Sequence, residues 1–310
     1  MTIMFEARRF GVAALACLLA STALDAKPAS PPPNPQVAYA ALGGQSNTLY
    51  VSDENGTNAN TLFTSATAFR FDLAPRAQRQ IAIVDGSLTN PQLQLLTYGS
   101  NGAGGFTTTS VVPLASARRG SNVSFSPDGS RIAYACCSNG ITEKLMVYDL
   151  GSNSTTEWAT GAFFWDMTWF RSGASIAYVD DTEAHVYEVT SPGSAAQLIF
   201  SSRGSIYLDA SHTNRDALVI SYNDSAGNAL TGLWQAPTTG DPSGHFINAN
   251  LTNGTTSFNG DLNCDDSELA FLGPPNKTPT WYIRSLTSGL TSLFSRSSSI
   301  HWLQFWPTCS

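Results

Sequence analysis

Charged side chains are scarce in this sequence. Asp, Glu, Lys and Arg make up 13% of the 310 residues, about half the usual share. A chain so poor in charge, and rich instead in Ser, Thr, Asn and Gly, suits many short strands and turns rather than helices. Positive charge is the scarcer sign: 16 Lys and Arg stand against 23 Asp and Glu, for a net charge of −7 and a pI near 5.0. Such a balance argues against a nucleic-acid partner, because phosphate contacts need clustered Lys and Arg. No apolar run reaches the roughly 20 residues of a membrane-spanning helix; the candidate at Gly11 to Ala20 is too short. Catalytic signatures are missing as well, with no Gly-x-Ser-x-Gly elbow and no Walker loop. The four histidines, His185, His212, His245 and His301, show no metal-ligand spacing and read as structural or surface side chains, the alternative being a metal site gathered from separate blades. Asp128-x-Ser130 lacks the further ligands of a calcium loop.

What the sequence does hold is one object repeated. Ser126-Pro127-Asp128-Gly129 is a polar turn between two strand-like runs, Asn122–Phe125 and Ile132–Ala135, and Asp-Gly supplies the positive φ of a tight hairpin. The apolar triplet after that turn recurs as Val37-Ala38-Tyr39, Ile81-Ala82-Ile83, Ile132-Ala133-Tyr134, Ile176-Ala177-Tyr178, Leu218-Val219-Ile220 and Leu269-Ala270-Phe271, in steps of 44, 51, 44, 42 and 51 residues. A period near 45 marks a blade or solenoid repeat. The first triplet has no turn before it. Its counterpart is at the far end of the chain, where His301–Trp306 reads as an innermost strand followed by the turn at Pro307. The ring therefore closes when the C-terminal strand pairs into the N-terminal blade, which removes a free sheet edge.

Ser-Pro-Asp-Gly-x-x-Ile-Ala-Tyr at 126–134, with Leu145–Gly151 after it, resembles the repeat of TolB-type β-propellers. The resemblance covers about residues 36–310 and is strongest at 122–151. It implies an all-β, six-bladed propeller without the additional α/β domain that TolB carries. It further implies a docking platform, since TolB-like propellers commonly serve as one.

Residues 1–26 read as a secretory signal peptide: Arg8-Arg9 form the positive region, the apolar run follows, and Ser21-Thr22-Ala23 or Leu24-Asp25-Ala26 offers the cleavage site. Residues 27–35 are a Pro-rich spacer, semi-rigid and extended. Residues 36–310 form a single propeller domain, expected to be a monomer in the periplasm or outside the cell, with no transmembrane span in the mature chain.

Aligning the innermost strands on their turns yields two polar rows. Three residues before the turn-proline position stand Asp72, Ser124, Thr168, Asp209, Asp261 and Gln304. Five before it stand Arg70, Asn122, Asp166, Tyr207, Asn259 and Trp302. Strand alternation sets both rows on the side opposite the apolar packing residues, where they either line a central channel or bond neighbouring backbone. If they converge, Asp72, Asp209 and Asp261 with Gln304 form an acidic ring able to hold a cation or a basic peptide group. Arg70, Asp166, Tyr207 and Trp302 complete the candidate lining. No other cofactor is expected.

Export permits disulfides. Cys136 and Cys137 either bridge as neighbours or stay as thiols. Cys264 and Cys309 lie in equivalent turns of adjacent blades, so a bridge between them would tether the closing strand. The expectation for function is a non-catalytic binding or docking module for a protein segment or an envelope glycan. The rival is a carbohydrate-active lyase or hydrolase using channel carboxylates.

Overall fold

In a computed structural model, the chain is described at residues 37–43, 46–53, 56–87, 89–137, 139–180, 182–238, 240–252, 258–273, 280–295 and 300–305. The expected leader and spacer lie outside these residues. Six four-stranded antiparallel sheets follow one another along the chain. Each repeat makes one blade, as the triplet period predicts. In blade three the strands are Val123–Phe125, Arg131–Cys136, Glu143–Asp149 and Ser154–Gly161. The Asp128-Gly129 turn joins the first two, with Gly129 at φ 69°. Asp128 fixes the turn by accepting from the Ser126 hydroxyl at 2.6 Å and the Ser130 amide at 3.0 Å. These bonds, with burial opposing them, hold its carboxyl below the ordinary range.

The expected closure is present. Ile300–Phe305 is the innermost strand of blade one and pairs antiparallel with Val37–Gly43, placing Phe305 opposite Val37 and Leu303 opposite Tyr39. The remaining innermost strands are Arg70–Leu73, Val123–Phe125, Met167–Trp169, Tyr207–Ala210 and Phe258–Leu262. Blade two carries a long hairpin, Gln92–Ser100 with Phe106–Ser116, around the Gly-rich turn 101–105.

The core is divided among the blade junctions, because each sheet must bury both faces and its only partners are the two flanking sheets. One apolar cluster joins blades one and two through Leu49, Phe69, Phe71 and Ile83. Others join two to three, three to four, four to five, five to six, and six back to one. Phe71, Val123, Met167, Leu208 and Leu303, four residues before the turn-proline position and so between the two polar rows, form the packing row of the innermost strands and are all buried. Such side chains contribute roughly 1.5–3 kcal/mol each. The sixth member of that row is Gly260, where a Cβ would lie 2.3 Å from Thr231 Cγ2. Blades five and six approach too closely there for any side chain.

Candidate functional site: the acidic mouth of the channel

An innermost strand has no further strand on its axial side, so its outward N–H groups lack a ladder partner. The two polar rows supply acceptors from the preceding blade. Asp72 Oδ2 accepts from the Phe125 amide at 2.5 Å, and Ser124 Oγ from the Trp169 amide at 3.4 Å. Asp166 Oδ2 accepts from Leu208 N at 2.8 Å, and Asp261 Oδ2 from Phe305 N. Gln304 Nε2 donates to Asp72 Oδ1 at 3.1 Å, linking blade one to blade two. Both readings of the rows are thus realised in the same side chains: one oxygen bonds a neighbouring blade while the residue borders the axis.

Asp72, Ser124, Thr168, Asp209, Asp261 and Gln304 all line one axial cavity of about 50 Å³. The row below borders the same axis: Tyr207, Asn259 and Trp302 adjoin Asp209, Asp261 and Gln304, while Asn122 and Asp166 adjoin Asp72 and Thr168. Arg70 lies with its guanidinium carbon 4.8 Å from the centre of the Trp302 ring. Asp166 also accepts from Asn122 Nδ2 and from the Met167 amide.

Burial dominates the electrostatics. It pushes the Asp72 carboxyl up to about 7, against the opposing donation from Phe125, with the Asp209 charge adding to the rise. Asp166 is raised to about 6 by burial, while the Leu208 and Met167 amides, Asn122 and the Arg70 charge hold it down. Asp261 is driven well above the carboxylate range by burial and then by the adjoining Asp209 carboxylate. Arg70 is lowered by burial and supported by Asp166 and Tyr207. The phenol of Tyr207 is raised by burial and by Asp166. Like charges packed on one axis favour a cation among them.

The junction of blades five and six differs from the rest. Asp209 and Asp261 adjoin, and His212 brings a ring nitrogen to the same place; one ligand atom from each lies within 4.8 Å of the others. Asp209 Oδ2 and His212 Nε2 are withdrawn from solvent without a hydrogen-bond partner. The turn bearing His212 is clamped by Asp266 of blade six, which accepts from Ser211 Oγ at 2.6 Å, His212 N at 2.9 Å and Thr213 N at 3.1 Å. The histidines therefore divide. His185 and His245 pair at the surface with Asp180 and Asp241, at 3.1 and 2.6 Å, in line with the sequence reading. His212 borders the axial cavity: it occupies the turn-proline position of blade five, three residues after Asp209, and that offset was the available signal. The side chain of His301 lies outside the described residues.

Cys136 and Cys137 are bonded to each other, with Cα atoms 3.7 Å apart and Cys137 at φ 62°. Cys264 is disulfide-bonded. Cys309 lies outside the described residues.

Six blades in sequence order, closed by a C-terminal strand and lined with polar residues around one axial mouth, define a six-bladed β-propeller. Its fold is that of TolB-like propellers. TolB from Acinetobacter baumannii matches with a TM-score of 0.69 at 15% identity, over 88% of this chain and 67% of that one. A putative TolB from Agrobacterium tumefaciens matches at 0.57 and 10% identity, over 85% and 90%. A chain of the nidogen/laminin complex matches at 0.58 and 9% identity, over 88% and 99%. At such identities the likeness concerns the fold alone. No protein-family model matches the sequence, and no similar protein is found among curated sequences. Among the described residues no helix is long and apolar enough to cross a membrane.

Proposed function

We propose that this protein is an exported, non-catalytic docking module, working as a monomer in the periplasm or outside the cell, that grips a protein segment at the acidic mouth of its channel. The observation that carries this reading is the convergence of Asp72, Asp209 and Asp261 with Gln304 on one cavity of about 50 Å³. The space admits the end of one Lys or Arg side chain. The ligand is accordingly a segment that lays itself across the mouth and inserts one basic group, where the carboxylates neutralise it out of bulk water. Among similar folds, a chain from a complex of two proteins, nidogen and laminin, is in keeping with a docking role.

One observation favours the rival enzyme. Asp209 and Asp261 adjoin, and burial followed by the Asp209 charge raises the Asp261 carboxyl, as in many acid–base pairs.

The test is a peptide array in which only a central residue varies among Lys, Arg, Gln and Glu, probed with the protein and with its Asp209→Asn/Asp261→Asn variant. Binding confined to Lys or Arg peptides, weakened at higher salt and lost in the variant while its melting curve is retained, supports docking. Equal binding of Gln and Glu peptides, or equal binding by the variant, refutes it. Release of reducing sugar from envelope polysaccharide by the protein, abolished in the variant, would establish the enzyme instead.

A further inference from the structure

We propose that Asp209, His212 and Asp261 form a binding site for a divalent transition-metal ion of the zinc class at the junction of blades five and six. The site shares Asp209 and Asp261 with the reading above, but it needs His212 and no peptide.

The ligand atoms lie within 4.8 Å of one another. Around a zinc ion with bonds of ~2.0–2.2 Å, tetrahedral ligands stand ~3.3 Å apart. Binding a metal would draw the three ligand atoms closer together. The backbone on both sides is held: the Asp266 carboxylate fixes the amides of His212 and Thr213, and the Phe305 amide anchors the second oxygen of Asp261. A ligand set whose supports are already bonded is the arrangement that metal sites use.

A second observation points to an absent partner. Buried polar atoms are nearly always satisfied, yet Asp209 Oδ2 and His212 Nε2 are both hidden from solvent with no hydrogen-bond partner. They lie in one cluster with the carboxylate of Asp261. A cation among the three gives each a bond. The imidazole among the donors sets the chemical class. Calcium and magnesium take oxygen ligands, whereas imidazole with carboxylates suits zinc, cobalt, nickel or copper. Three protein ligands leave a position facing the cavity, which Asp209, His212 and Asp261 all line. That is the ligand count of open zinc sites.

The experiment titrates cobalt(II) into tag-free, chelator-treated protein and follows the ligand-field absorption of the metal, with zinc as competitor. The variants are His212→Gln and Asp209→Asn, each checked by thermal melting without metal. Saturable binding of one cobalt, displaced by zinc but not by calcium, and weakened at least ~10-fold in either variant, is the expected result. Undiminished cobalt binding in His212→Gln would place the metal elsewhere, for example at the surface pairs of His185 or His245, and overturns the proposal. Displacement of cobalt by calcium at similar concentration overturns it too, as does the absence of saturation. His212→Gln also separates this site from the docking reading, since the metal is lost while Lys and Arg peptides still bind if the two are independent.

Discussion

Replacing Asp72 with Asn should flatten the dependence of stability on pH. In the folded chain the Asp72 carboxyl is raised from 3.8 to about 7, first by burial. In the unfolded chain it titrates as an ordinary carboxyl. A raised carboxyl binds a proton in the folded state that the unfolded state has already released, so stability declines as pH rises. This contribution is fully present below about pH 4 and is lost by about pH 7. At about 1.4 kcal/mol per unit, the shift corresponds to at most about 4 kcal/mol. Asp72 is only half-buried and keeps a side open to the cavity, where water screens the charge, so about 1–2 kcal/mol is the expected size. The substitution leaves the surroundings satisfied. Asn keeps an acceptor for the Phe125 amide, and Gln304, whose Oε1 has no partner, can turn that oxygen to accept from the new amide. Urea unfolding of both proteins at about pH 4, 5.5 and 7 measures the effect. The variant should gain on the parent by about 1–2 kcal/mol across this range. Parallel profiles would show that Asp72 is ionised as in free solution, and the argument from burial would fail.

Two further outcomes test the ring. Deleting residues 300–310 removes Ile300, Leu303 and Phe305, all buried, at roughly 1.5–3 kcal/mol each, and leaves Val37–Gly43 with an open edge. The loss approaches the whole stability of a typical domain, so the truncated protein should be insoluble or melt without cooperativity; a melting point within a few degrees of the parent's would contradict closure. Peptide mapping of non-reduced, oxidised protein should join Cys264 to Cys309, a loop of about 45 residues whose bridge constrains the unfolded chain by roughly 3–4 kcal/mol. An alkylatable Cys309 would refute that pairing.

The fold was legible in the residues because a propeller repeats a local object. The turn at Ser126–Gly129, the alternation around Ile132-Ala133-Tyr134 and the period near 45 are short-range features, each set by turn stereochemistry and strand pleat. Even the closure was readable, since the first triplet lacked a turn and His301–Trp306 lacked a following strand. The two polar rows followed from the same pleat: alternation alone placed Asp72, Ser124, Thr168, Asp209, Asp261 and Gln304 on one side of their strands.

Alternation says which side a residue faces and nothing about how far it stands from residues a blade away. Whether the rows met, and whether they lined a channel or bonded backbone, was decided by the packing of six separate sheets around an axis, through contacts 42 to 53 residues apart such as Asp166 with Leu208 and Asp72 with Phe125. His212 shows the same limit from the other direction. Its offset from Asp209 was readable in sequence, but Asp261 reaches it from the neighbouring blade and Asp266 positions its turn across that junction. Local chemistry wrote each blade, and the closing of the ring brought three side chains from two of them to one point.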